Sequence, residues 1–143
     1  MEAERCDLLI VDDEPGILAS LEVYFKRMIP GIKIKSAKDG EEGYRLALEF
    51  RPRIVWTCIR MPCLNGLELL KLIKKNPDTQ NAKVILFSGY GSKEVKNQAF
   101  ELGADTFIDK GDYEKFEQGA KIVANFLKGI FKSFGLIVSQ EKQ

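Results

Sequence analysis

Short apolar runs recur along this chain at residues 6–11, 32–37, 54–58, 82–88 and 105–109, and each is followed by a segment with apolar residues at helical spacing. No other feature limits the fold as strongly. A run of five or six apolar residues suits a strand covered on both faces, and strands that alternate with helices form βαβ units around a parallel sheet. Residues 32–37 differ, because Ile32, Ile34 and Ser36 alternate with Lys33 and Lys35 as in a strand with one wetter face near the sheet edge.

The intervening segments carry helix punctuation. Pro15 suits a first helical turn, and Ile17, Leu18, Leu21, Tyr24, Phe25 and Met28 follow at helical spacing until Pro30-Gly31. Asp39 with Glu42 three residues on predicts a capping box for a helix through Tyr44, Ala47, Leu48 and Phe50. A third helix is expected from about Gly66 to Asn76, ending before Pro77. Ser92 is the expected cap of a helix through Val95, Ala99 and Leu102, with Gly103 as its stop. The last helix is expected from about Tyr113 towards Phe134.

A length of 143 residues bounds the chain to one domain, expected over residues 1–134 with a short tail at 135–143. The net charge of +1 argues against a dedicated nucleic-acid binder, and no apolar run approaches a membrane span. The acidic start, Met1-Glu2-Ala3-Glu4-Arg5, does not read as a signal peptide, and three cysteines without framework spacing fit a cytoplasmic protein with reduced thiols. The chain has no histidine, which removes Ser-His and Cys-His dyads and histidine metal sites.

In an open parallel sheet, chemistry collects beyond the carboxyl ends of the strands. The residues expected there are Asp12 and Asp13, Cys58, Ser88 and Lys110. Paired carboxylates suit a hard divalent cation such as Mg²⁺, and a hydroxyl with an ammonium completes a clamp for a phosphoryl group. Taken singly, each has a plainer reading as a helix cap or a solvated side chain. Falling together at the strand ends, they favour a site.

At these residues the chain resembles the receiver domains of two-component response regulators. The resemblance covers Leu8 to about Leu127 and rests on Leu9-Ile10-Val11-Asp12-Asp13-Glu14, Ile59-Arg60-Met61-Pro62 with Asn65-Gly66, the residues from Val84 to Gly91, and Gly103-Ala104-Asp105 leading to Lys110. It implies a flavodoxin-like, doubly wound sheet of five parallel strands in the order 2-1-3-4-5, flanked by five helices. It also implies a Mg²⁺ near Asp12 and Asp13 with the Arg60 carbonyl as a ligand, Ser88 and Lys110 at the phosphoryl group, and Phe107 as the aromatic switch residue. Partners would be a sensor kinase or a downstream effector, with no enzyme activity.

Residue 58 departs from that pattern. The family's phosphoacceptor is an aspartate directly before the Ile-Arg-Met-Pro motif, and here that residue is Cys58. Thr57, Trp56, Cys63 and Gly111 depart nearby. Carboxylates beside a thiol disfavour its thiolate, Lys110 and a bound cation act the other way, and no histidine is present to activate it, so phosphotransfer through sulfur is not expected. Losing a carboxylate should weaken Mg²⁺ and favour softer metals such as Zn²⁺. Two function classes follow: a binding module that no longer takes a phosphoryl group, or a receiver that uses Cys58 as a redox or metal-responsive thiol. A receiver whose aspartate was deliberately replaced has the same sequence.

Other expectations concern the surroundings. Cys6 should be plain core, Cys58 and Cys63 should be able to approach each other, and Trp56 should report on the pocket two residues away. On the last helix, Phe116, Ala120, Val123, Leu127, Phe131 and Phe134 form one apolar stripe and Ile122, Phe126 and Ile130 a second. The second stripe either covers the first strand or forms a partner or homodimer surface.

Overall fold

A computed structural model describes residues 5–89, 93–109 and 113–133, with only the backbone for 113–115 and 128–133. Strands β1 (Leu8–Val11), β2 (Ile34–Ala37), β3 (Ile54–Thr57), β4 (Lys83–Ser88) and β5 (Thr106–Asp109) alternate with helices α1 (Pro15–Met28), α2 (Gly40–Phe50), α3 (Gly66–Lys75), α4 (Lys93–Glu101) and α5 (Tyr113–Ser133). All four strand pairings are parallel and the order is β2-β1-β3-β4-β5, so the expected doubly wound sheet is observed.

The sheet separates two apolar layers, and the pleat decides which side chain joins which. Leu8, Ile10, Ile54, Trp56, Ile85 and Ile108 face α1 and α5, where they meet Leu21, Phe25, Ala120, Val123 and Leu127. Leu9, Val11, Val55, Val84 and Leu86 face the other layer with Ala47, Leu69, Leu70, Ile73 and Ala99. Both faces are dry, which is why β1, β3 and β4 read as unbroken apolar runs.

Most helix signals act as written, with local adjustments. Pro15 is the first residue of α1, and Asp39 accepts the Glu42 amide at 2.8 Å. The Glu42 carboxylate takes the Lys38 amide at 2.9 Å, so only half of the expected box forms at its expected atoms. Asn76 is extended, as a residue before proline must be, and α3 stops at Lys75. β2 begins at Ile34 because the Ile32 amide closes a turn onto the Ile29 carbonyl and the Lys33 amide donates to Asp7. Asp105 lies outside β5, where its carboxylate accepts the Val84 amide at 2.8 Å. The proposed Ser92 cap lies outside the described residues.

Two expectations need correction. Trp56 does not face the strand-end pocket: it is buried under α1 and α5 against Phe25, Phe87 and Phe116, with ring centroids 5.2, 5.4 and 5.8 Å away. It therefore reports on that aromatic cluster. On α5, Phe126 packs partly buried against the layer that holds Ile54 and Ile85, and with Ile122 it lines a small cavity beside Lys83, Asp105 and Thr106, at β3 to β5 rather than over the first strand. Ile122 beside it remains 47% exposed. Side chains of Ile130 and Phe131, and all of Phe134, lie outside the described residues. Cys6 is buried core, and burial pushes its thiol pKa up to about 12.

Candidate functional site

β1 pairs with β2 on one side and β3 on the other, so the chain leaves β1 and β3 towards opposite layers and opens a cleft beyond their ends. Val11 is level with Thr57. The next residues are therefore neighbours: the Cys58 amide donates to the Val11 carbonyl at 3.0 Å, and the Asp12 amide to the Ala37 carbonyl at 3.1 Å. Asp12, Asp13 and Cys58 converge there with one ligand atom from each within 4.8 Å of the others. Asp12 and Cys58 are buried at 1% and 3% exposure, and Asp13 is exposed. One Asp12 oxygen accepts the Glu14 amide at 3.0 Å, which fixes the carboxylate as the chain turns into α1.

Residues 59–65 form the rim of the cleft. The Gly66 amide donates to the Ile59 carbonyl at 2.8 Å, and Asn65 and Glu68 complete a reciprocal capping box at the start of α3. Only glycine fits at residue 66, because a Cβ would overlap the Cys58 carbonyl oxygen and approach the Ile59 Cα. Cys63 sits at φ 69°, in the left-handed region that favours glycine. It is exposed and Cys58 is buried, and no disulfide joins the two. A 480 Å³ cleft lined by Asp13, Ile59, Arg60, Met61 and Asn65 opens to solvent beside the carboxylates.

Cys58 points its thiol at the loop: Sγ donates to the Arg60 carbonyl at 3.6 Å. Thr57, fully buried, satisfies its hydroxyl on the Cys58 carbonyl at 2.9 Å. The donor set is thus two carboxylates, a carbonyl and a sulfur. Mg²⁺ demands near-octahedral oxygen, and a buried sulfur among its donors fits it poorly.

Residues 8–119 match the family model described as the response regulator receiver domain. The chain belongs to this family. It is 32% identical to a gliding motility regulatory protein of Myxococcus xanthus over 77% of its own length but only 14% of that protein's. It is 30% identical to a probable chemotaxis protein CheY of Rhizobium etli, covering 88% of this chain and 98% of that one. Among solved structures, the N-terminal domain of an uncharacterized protein from Wolinella succinogenes superposes with a TM-score of 0.74 at 30% identity, covering 87% of this chain and 98% of that one. Receiver domains are in general signalling modules that meet sensor kinases and effector domains, and they typically bind Mg²⁺ in the acidic pocket.

The other expected receiver residues lie farther along the sheet. Ser88 ends β4 in register with Asp109 and is buried. Phe107, level with Leu86 on β5, packs partly buried on the α4 side of the sheet. Lys110 and Gly111 lie outside the described residues. One pair escaped the sequence reading: Lys96 of α4 donates to Asp109 at 3.1 Å and holds its ammonium 5.5 Å from the centre of the Phe107 ring. Asp109 ends a strand, which was a usable signal. Lys96 carries none, because only the phase of α4 brings it there. Among the described residues no helix is long and apolar enough to cross a membrane.

Proposed function

We propose that this chain is a receiver-type signalling module that does not take a phosphoryl group at residue 58 and acts through protein–protein contact. The observation that carries the reading is a buried thiol at residue 58, where the receiver resemblance requires the acceptor aspartate. Sulfur attack on a phosphoryl donor needs an activated thiolate, and two neighbouring carboxylates without a histidine do not provide one.

In this reading Asp12, Asp13 and the Arg60 carbonyl are the residual metal ligands and hold Mg²⁺ weakly. Ser88 and Lys110 are the residual phosphoryl-binding groups, and Phe107 occupies the switch position. The module spans residues 1–134, works in the cytoplasm and binds neither nucleic acid nor membrane. Its partner is a sensor kinase or a downstream effector. Exposed Ile122 on α5 and Phe100 on α4, at 47% and 50%, offer apolar contact to a partner or a second copy.

The test is intact-mass analysis after incubation with acetyl phosphate or phosphoramidate and Mg²⁺. The mass is expected to stay unchanged. A hydroxylamine-labile adduct of one phosphoryl group overturns the reading, because it places an acyl phosphate on another carboxylate.

A further inference from the structure

We propose that the pocket beyond β1 and β3 is a site for a thiophilic divalent cation of the zinc class, held by Cys58 Sγ, the Asp12 and Asp13 carboxylates and the Arg60 carbonyl. The inference starts from the mismatch between these donors and Mg²⁺. It uses the same cysteine as the proposed function but does not depend on the loss of phosphorylation.

Geometry supports four-coordination. Zinc binds sulfur at about 2.3 Å and oxygen at about 2.1 Å, so a tetrahedral ion holds a sulfur and an oxygen about 3.6 Å apart. The Cys58 Sγ and the Arg60 oxygen already stand 3.6 Å apart, joined by the thiol proton. A metal ion that replaces that proton finds the separation of the two atoms already in range. The carboxylates must close from the 4.8 Å envelope by about an ångström. Exposed Asp13 has room to rotate, and the solvent-facing cleft beside it provides an entry path. The chemistry also selects the ion. A thiolate, two carboxylates and a carbonyl favour zinc, cadmium or cobalt over magnesium, whose bonds to sulfur are poor. As the metal–sulfur bond forms, the Cys58 proton passes to solvent and the Arg60 carbonyl turns its lone pair from that proton to the ion.

Cobalt(II) is the probe for the thiolate, and zinc in competition with a chromophoric chelator reads affinity. The expected results are a sulfur-to-cobalt charge-transfer band in the near ultraviolet at one ion per chain, and zinc binding that a large excess of Mg²⁺ does not displace. Cys58→Ser should abolish the band and weaken zinc by about tenfold or more. Asp13→Asn, at an exposed position, should keep the fold and the band but weaken zinc several-fold. Circular dichroism checks the fold of each variant. No band, equal displacement by Mg²⁺, unchanged zinc affinity in Asp13→Asn, or a band that disappears in Cys63→Ser instead overturns the proposal. Phosphoryl mass analysis reads the other conclusion separately, so a missing band with an unchanged mass removes the metal site alone.

Discussion

Replacing Cys58 with aspartate asks whether the pocket lost anything beyond its acceptor. The substitution buries a second carboxylate beside Asp12, which is itself 1% exposed, in a cluster whose ligand atoms lie within 4.8 Å of one another. Two charges at that distance and an effective dielectric constant near 20 repel by about 3.5 kcal/mol. The exposed Asp13 adds less, because water screens it. A chain of this size loses about 3 °C of melting temperature per kcal/mol, so the metal-free variant should melt about 10 °C below its parent.

Mg²⁺ neutralises the added charge, so millimolar Mg²⁺ should return most of that loss while leaving the parent unchanged. Repulsion also raises the carboxyl pKa in the folded variant. The folded state then holds protons that the unfolded state has released, so the deficit grows as pH rises through the carboxylate range and disappears in acid. The assay is a thermal melt of both proteins with and without Mg²⁺ at two pH values, followed by beryllofluoride binding to the variant. Equal melting temperatures without metal, or a variant indifferent to both Mg²⁺ and beryllofluoride, would refute the reasoning. Thr57 and Cys63 would then have remodelled the pocket as well.

Ile122→Lys on the exposed face of α5 should turn any self-associated species into monomer while changing the melting temperature by no more than about 2 °C, read by light scattering and thermal melts. Phe126 is the poorer probe for that face, since it is partly buried against the core and a charge there would also lower the stability of the fold. Cys6 predicts an alkaline dependence. Its thiol deprotonates near 9 when unfolded and near 12 when buried, so the folded state binds the extra proton between those values and stability falls as pH rises through them. Cys6→Ala should flatten that part of a pH series of urea unfolding curves.

Local chemistry decided how much of this was legible in the sequence. β1, β3 and β4 were plain because both layers cover them, leaving no polar alternation to confuse with a helix. The start of β2 was not, because at an edge the alternation of 32–37 reads the same in a strand and in the turn that precedes it. Asp12, Asp13, Cys58 and Ser88 were legible as a group because each follows or ends a strand, and a parallel sheet brings such residues to one edge. Arg60 was reachable only through resemblance, since its contribution is a backbone carbonyl and its identity carries no signal. Trp56 shows the limit of closeness in sequence: it lies two residues from Cys58, yet the pleat sends its ring into the layer under α1 and α5.

The loose end of the scaffold is α4, and its attachment gives the last prediction. Among the described residues α3 buries Gly66, Leu69, Leu70 and Ile73, while α4 buries Ala99 alone. So thin an apolar seam leaves α4 at the low end of local stability, where binding partners act with the least work. Its second tether is Lys96, which joins Asp109 at 3.1 Å and lies 5.5 Å from the Phe107 ring centre. Both partners are about one-third exposed, so the pair contributes about 0.5–1 kcal/mol. Lys96→Ala should therefore speed amide hydrogen exchange in α4 by about two- to fivefold while leaving α3 unchanged. Lys96→Arg, which keeps the charge and reaches the same carboxylate, should restore protection. If Lys96→Ala leaves α4 exchange unaltered, Ala99 and its neighbours hold the helix unaided and the ion pair is surface decoration. A rise shared by α3 and α4 would instead mean that the two helices open as one unit.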